Sequence, residues 1–168
     1  MAAGCRSPNP EEAEEGPGFD PRASPGSGEL RPGHLDLYFV NFYLEQKKRR
    51  ISFLDFDYCA YGWYLMDVAM LLFDILVLYR EPDTERFAGR FLENFLLGYN
   101  AQKALDLFWI EQLPHFLKLL EIGVYLMPYR SYKPETADQW VSSFMPGRRA
   151  RIEEERAYVD LDFNAVAR

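Results

Sequence analysis

His34-Leu35-Asp36-Leu37-Tyr38-Phe39-Val40-Asn41, followed after a basic turn by Leu54-Asp55-Phe56-Asp57, is the stretch from which the fold can be read. Asn41-Phe42-Tyr43-Leu44-Glu45 is aromatic and apolar, a composition that suits a strand. Gln46-Lys47-Lys48-Arg49-Arg50 is a charged connection, and Ile51-Ser52-Phe53-Leu54-Asp55 reads as the returning strand. Two short apolar runs joined in this way predict a β-hairpin. A hairpin brings its outer ends together. Asn41, opening the first strand, and Asp55, closing the second, are therefore expected at the same open end. Asp36 lies on the loop that feeds that end.

Two carboxylates and one amide carbonyl on a short, stiff support suit a hard cation such as Mg²⁺, which also takes waters and phosphate oxygens. Phosphoryl transfer asks for little else: a carboxylate near the attacking hydroxyl and a metal ion to neutralise phosphate charge. Asp36 suits the first task, Asn41 and Asp55 the second. Taken singly, Asp and Asn near strand ends are more often simple turn formers. Their joint spacing carries the chemical reading.

The stretch resembles the catalytic core of the aminoglycoside phosphotransferase and choline kinase-like family, relatives of protein kinases, where His-Gly-Asp-Leu-His-x-Gly-Asn is followed by Ile-Asp-Phe-Asp-Asp. The resemblance implies Asp36 as catalytic base, Asn41 and Asp55 as Mg²⁺ ligands with ATP, and His34 as a brace for the loop. Cys59-Ala60-Tyr61-Gly62-Trp63-Tyr64-Leu65-Met66-Asp67 resembles the family's Gly-x-x-x-x-Asp helix entry. There Asp67 would hold the loop in place. The likeness extends to Phe144-Met145-Pro146-Gly147-Arg148-Arg149 and to Tyr158-Val159-Asp160-Leu161-Asp162-Phe163, and so covers about residues 30–163. Three positions of the loop differ from the family: Leu35 and Val40 stand where the family has glycine, and Tyr38 where it has a second histidine. Glycine at such places serves a positive φ or a close backbone approach. Tyr58 replaces the third acidic position.

The chain has 168 residues, 48% hydrophobic and 16% aromatic, enough for one domain with a sizeable core. Its net charge of −7 argues against a general nucleic-acid binder. Cys5 and Cys59 lie in unlike segments, which argues against a disulfide scaffold or a Cys-based metal site and suits a reducing cytoplasm. The region from Met1 to Gly18 has no apolar signal-peptide core. The apolar run from Leu65 to Leu78 contains Asp67 and Asp74 and is too short for a membrane span.

Residues 1–29 read as a disordered tail rich in Pro, Gly and Glu, with the same character continuing to Gly33. Nothing in that tail resembles the nucleotide-covering loop or phosphate-pairing lysine of the family's N-terminal lobe, so the chain is expected to be a truncated C-terminal lobe. The basic run Lys47–Arg50 reads as a solvated turn. Tyr61, Trp63 and Asp57 are candidate substrate contacts, since aromatic rings beside a carboxylate suit cationic amines. Core packing explains the rings equally well.

Beyond Trp63 the periodicity is helical. The expected helices are Met66–Tyr79, Glu85 to about Tyr99 capped by Asp83 or Thr84, a short Leu107–Leu113, and His115–Met127 opening at Pro114. Pro128 and Pro134 should bracket a loop. Helices over Ala137–Phe144 and Arg148–Ala157 follow, the second with a solvated Arg/Glu face. The pattern weakens from Asp160, and residues 164–168 read as a tail. The architecture expected is mainly α with a small β-hairpin, the C-terminal lobe of a kinase-like α+β fold. The function expected is an ATP- and Mg²⁺-dependent phosphotransferase acting on a hydroxyl of a small, amine-bearing molecule. The alternative is a catalytically silent module of the same ancestry.

Overall fold

The computed structural model describes residues 31–78, 83–102, 105–131 and 139–166; the tail read as disordered, residues 1–29, lies outside them. The chain is mostly helical with small antiparallel strand pairs, and it divides into two compact units, Met1–Asp67 and Val68–Arg168.

In the first unit, β2 (Phe42–Glu45) and β3 (Arg50–Phe53) form the hairpin, with Phe42 opposite Phe53 and Glu45 opposite Arg50. The connection is a 3₁₀ turn over Gln46–Lys48, closed by Arg49 at φ 50°. Alternation across the pleat puts Phe42, Leu44, Ile51 and Phe53 on one face and Tyr43, Glu45, Arg50 and Ser52 on the other. Phe39 packs on Phe42 at 5.2 Å between ring centroids, and Phe42 on Phe53 at 6.5 Å.

A second strand pair corrects two expectations. Arg31–Gly33 (β1), read with the disordered tail, pairs antiparallel with Ala60–Gly62 (β4), read as a loop. Each strand is only three residues long and carries glycine or proline, so neither has a strand's alternation. The partner supplies the ladder, and Leu35 covers the pair. A Cβ on Gly33 or Gly62 would lie 3.1 or 3.3 Å from Leu35 side-chain carbons, so both glycines serve a close approach.

The helix α1 (Leu65–Leu78) begins at the end of the first unit. In the second unit, α2 (Thr84–Asn100) is capped by Asp83, whose Oδ1 accepts the N–H of Arg86 at 3.0 Å. The next helix differs from expectation. Leu107–Leu113 and His115–Met127 are one helix, α3 (Leu107–Ser131), with Pro114 and Pro128 inside it. A proline within a helix removes one backbone bond and crowds the preceding turn. The buried stripe Ile110, Leu113, Leu117 and Leu120 carries the helix through Pro114. Asp106 caps its start, accepting the N–H of Phe108 at 2.9 Å. Two short helices follow, α4 (Gln139–Phe144) and α5 (Arg148–Glu153). The region beyond Asp160, weak in pattern, holds α6 (Phe163–Val166), which packs against α2 and α3 through buried Phe163.

The core of this unit gathers Leu72 and Phe73 of α1, Ala88, Leu92 and Leu96 of α2, the α3 stripe, and Val141 and Phe144 of α4. Phe73 stacks on Tyr158 at 4.7 Å and meets Phe144 edge-on at 6.2 Å. α5 is solvated on one face only, where Arg149 and Glu153 pair as expected at 2.7 Å. Arg148 and Arg151 turn inward toward Glu121, which is completely buried on α3. The Arg148 guanidinium donates to Glu121 at 2.8 Å and lies 4.2 Å from the Phe144 ring. Lys118 reaches the other carboxylate oxygen at 2.5 Å.

Burial of Tyr158 against Phe73 pushes its hydroxyl up to about 12 from an ordinary 10.0. The unfolded chain therefore releases this proton first. The contribution to stability is whole below pH 10 and falls by about 2–3 kcal/mol as pH rises from 10 toward 12. A Tyr158→Phe variant should lose this alkaline slope, read by urea denaturation at stepped pH. An unchanged slope would show that other groups carry it.

Candidate active site

The residues singled out between His34 and Asp67 all belong to the first unit. The loop from His34 to Asn41 is shaped by backbone bonds. Tyr38 N–H donates to Asp36 C=O at 2.9 Å, and Asn41 N–H donates to Tyr38 C=O at 2.9 Å. Asn41 sits in a 3₁₀ turn, Phe39–Asn41, one residue before β2 rather than opening it. Its amide nitrogen donates to both the backbone oxygen and the Oδ2 of Asp36, each at 2.8 Å. With Nδ2 so engaged, Oδ1 is the atom that Asn41 has to offer a cation. Asn41 C=O accepts the N–H of Leu54 at 2.8 Å, which ties the loop to the chain immediately before Asp55. Asp55 lies beyond the end of β3 and takes a left-handed conformation, φ 56°.

Beneath the loop, the buried His34 ring donates through Nε2 to Leu54 C=O at 2.8 Å and lies 4.7 Å from the Phe56 ring. Its Nδ1 is buried with no hydrogen-bond partner. Asp67, in the first turn of α1, accepts the backbone N–H of His34 at 2.8 Å on one oxygen and that of Leu35 at 2.7 Å on the other. Leu35 has φ 56°, a left-handed conformation that an L side chain adopts at a cost of about 1–2 kcal/mol. The backbone thus keeps, with a leucine, the shape for which glycine is the usual residue.

Hydrogen bonds therefore join His34, Leu35, Asp36, Asn41, Leu54 and Asp67 into one unit. Asp57 and Tyr61 stand outside it, exposed on the segment after Asp55, and Trp63 is 46% exposed just before α1. Among the described residues, no group of three or more His, Cys, Asp and Glu side chains could hold a metal ion. A divalent cation here would rest on Asp55, the Asn41 amide oxygen and the oxygens of a bound phosphate or water. That is a donor set suited to Mg²⁺, which keeps several non-protein ligands. The left-handed turn at Leu35 falls where the family's glycine signals one. The Asn41–Asp36 bond was missed, since the five-residue spacing carries no signal without the turns between.

The fold and this loop define a kinase-like protein, and the comparison with protein families agrees. Residues 11–108 match the model of the phosphotransferase enzyme family, and the chain belongs to that family. It is similar to amicoumacin kinase of Bacillus subtilis (strain 168), 29% identical over 135 residues that cover 79% of this chain and 40% of the relative. Among solved structures it is similar to amicoumacin kinase hAmiN in complex with AMP-PNP, Ca²⁺ and Ami. That likeness has a TM-score of 0.72 and 28% identity, over 83% of this chain and 42% of that one. The chain thus spans about two fifths of the length of these relatives. No helix among the described residues is long and apolar enough to cross a membrane.

Proposed function

We propose that this chain carries the catalytic loop of a cytoplasmic, ATP- and Mg²⁺-dependent phosphotransferase that acts on a hydroxyl of a small, amine-bearing molecule. The observation that carries the reading is the bond from Asn41 Nδ2 to Asp36, with Asn41 itself tied to the residue before Asp55. In this reading Asp36 orients the acceptor hydroxyl and takes its proton. Asn41, through Oδ1, and Asp55 hold Mg²⁺, which when bound neutralises charge on the transferring phosphate. His34 and Asp67 hold the loop from below. Asp57, Tyr61 and Trp63 face the acceptor, where rings and a carboxylate favour a cationic amine. Family membership supports the reaction class, and the nucleotide analogue and divalent cation named with the solved relative support the cofactors.

A second reading, a catalytically silent module, is favoured by Leu35, Tyr38 and Val40 at positions where the family carries Gly, His and Gly. The test is transfer of the γ-phosphoryl group of labelled ATP to a panel of amine-bearing alcohols, with Asp36→Asn beside the parent chain. A positioned base contributes about a hundredfold or more, so the variant should lose at least that factor. Equal transfer by both chains would remove Asp36 from the mechanism. No transfer by either, with Mn²⁺ binding abolished by Asp55→Ala, would favour the silent module.

A further inference from the structure

The basic run at the hairpin tip has no part in the proposed chemistry, yet it precedes a serine in a pattern of its own. Arg49-Arg50-Ile51-Ser52-Phe53 places two guanidinium groups three and two residues before a hydroxyl, with an aromatic residue directly after it. We propose that Ser52 is a phosphorylation site for an arginine-directed serine kinase.

Three observations carry this. Residues 46–58 are all exposed, so the whole recognition segment is within reach of a second protein. Arg50–Phe53 is already extended and is paired on one side only, to β2, within a two-stranded sheet. A modifying kinase that reads a substrate as an extended strand would find the backbone in that form. Of the four cations at the tip, Lys48 is engaged with Glu45 at 2.9 Å, and this is the only salt bridge of the run among the described residues. Arg49 and Arg50 remain to meet acidic groups on the modifying enzyme, where forked guanidinium–carboxylate pairs give selectivity. The other described serines lack this pattern: Ser142 and Ser143 follow no arginine, and Ser131 follows a single one.

In the reaction, Ser52 Oγ attacks the γ-phosphorus of ATP and the bond to the bridging oxygen breaks. ADP departs, and the hydroxyl proton passes to the base of the modifying kinase. The product adds about −1.5 to −2 charges beside Arg50, which shares the same face of β3 two residues earlier. Arg50 would then pair with the new phosphate.

The experiment incubates the native 168-residue chain with the catalytic subunit of cyclic-AMP-dependent protein kinase and Mg·ATP, followed by intact mass and peptide mapping. One phosphoryl group on Ser52 is expected. Ser52→Ala should abolish it, Ser52→Thr should retain it, and Arg49→Gln with Arg50→Gln should slow it by about tenfold or more, the equivalent of one lost charge-assisted contact. Circular dichroism of each variant keeps loss of fold apart from loss of the site. The proposal is overturned by no incorporation, by incorporation at another residue, by incorporation only after heat denaturation, or by an unchanged rate in the double arginine variant.

Discussion

Glu121→Ala should lower the unfolding free energy by about 3 kcal/mol, because it leaves half-buried cations without their counter-charge. Glu121 is completely buried, and its two oxygens are taken by Lys118 at 2.5 Å and Arg148 at 2.8 Å, with Arg151 Nε at 3.9 Å. Lys118 and Arg148 are themselves only 22% and 18% exposed, so water can recover little of the lost interaction. Arg148 is held further by the C=O of Phe144 and lies against its ring, so it cannot simply swing out. The charged pair as a whole is another matter. Replacing both partners with apolar residues of similar size removes the unmatched charge together with the match. Glu121→Met with Arg148→Met should therefore be more stable than Glu121→Met alone. Urea denaturation of the three variants reads both effects. A loss under about 1 kcal/mol for Glu121→Ala would mean that the cluster is incidental to the helical unit.

Asp67→Ala should cost about 3 kcal/mol and free the loop that carries Asp36. Each hydrogen bond from a backbone N–H to a charged acceptor contributes about 1.5–3 kcal/mol, and Asp67 makes two, to His34 and Leu35. The side chain is half-buried, so the lower end of that range applies. Asp67 also sits in the first turn of α1, where a carboxylate gains about 0.3–1 kcal/mol from the helix dipole. Global stability alone would not separate these contributions. Amide hydrogen exchange does: the N–H groups of His34 and Leu35 should exchange about a hundredfold faster in the variant, matching about 3 kcal/mol. Asp67→Asn keeps one acceptor oxygen and should fall between. If those two amides exchange at the parent rate while stability still falls, Asp67 acts on α1 and not on the loop.

The hairpin was legible because its signals are local. Aromatic and apolar runs flank a charged turn, and the register follows once the turn is placed, with boundaries moved by a residue at Asn41 and by two at Asp55. The helices α1 and α2 were legible for the same reason, since their apolar positions recur within a window of a few turns. Pro114 misled because a proline at a helix start and one tolerated inside a long buried helix look alike in sequence. Only the burial of Ile110, Leu113 and Leu117 along one stripe tells them apart. The strand pair β1–β4 misled in the opposite sense, having too few residues for any alternation to show.

By itself, then, the sequence determined the hairpin, the helices α1 and α2 and the resemblance to the family. The resemblance already implied that Asp67 holds the loop; that it meets the N–H groups of His34 and Leu35, and that Glu121 meets Arg148 across 27 residues, was decided only by the tertiary structure. Periodicity and propensity act over a few residues of chain, whereas a buried charge is matched by whatever the packing brings to it. Arg148 and Arg151 could be read as solvated until α3 was seen to present a buried carboxylate to them.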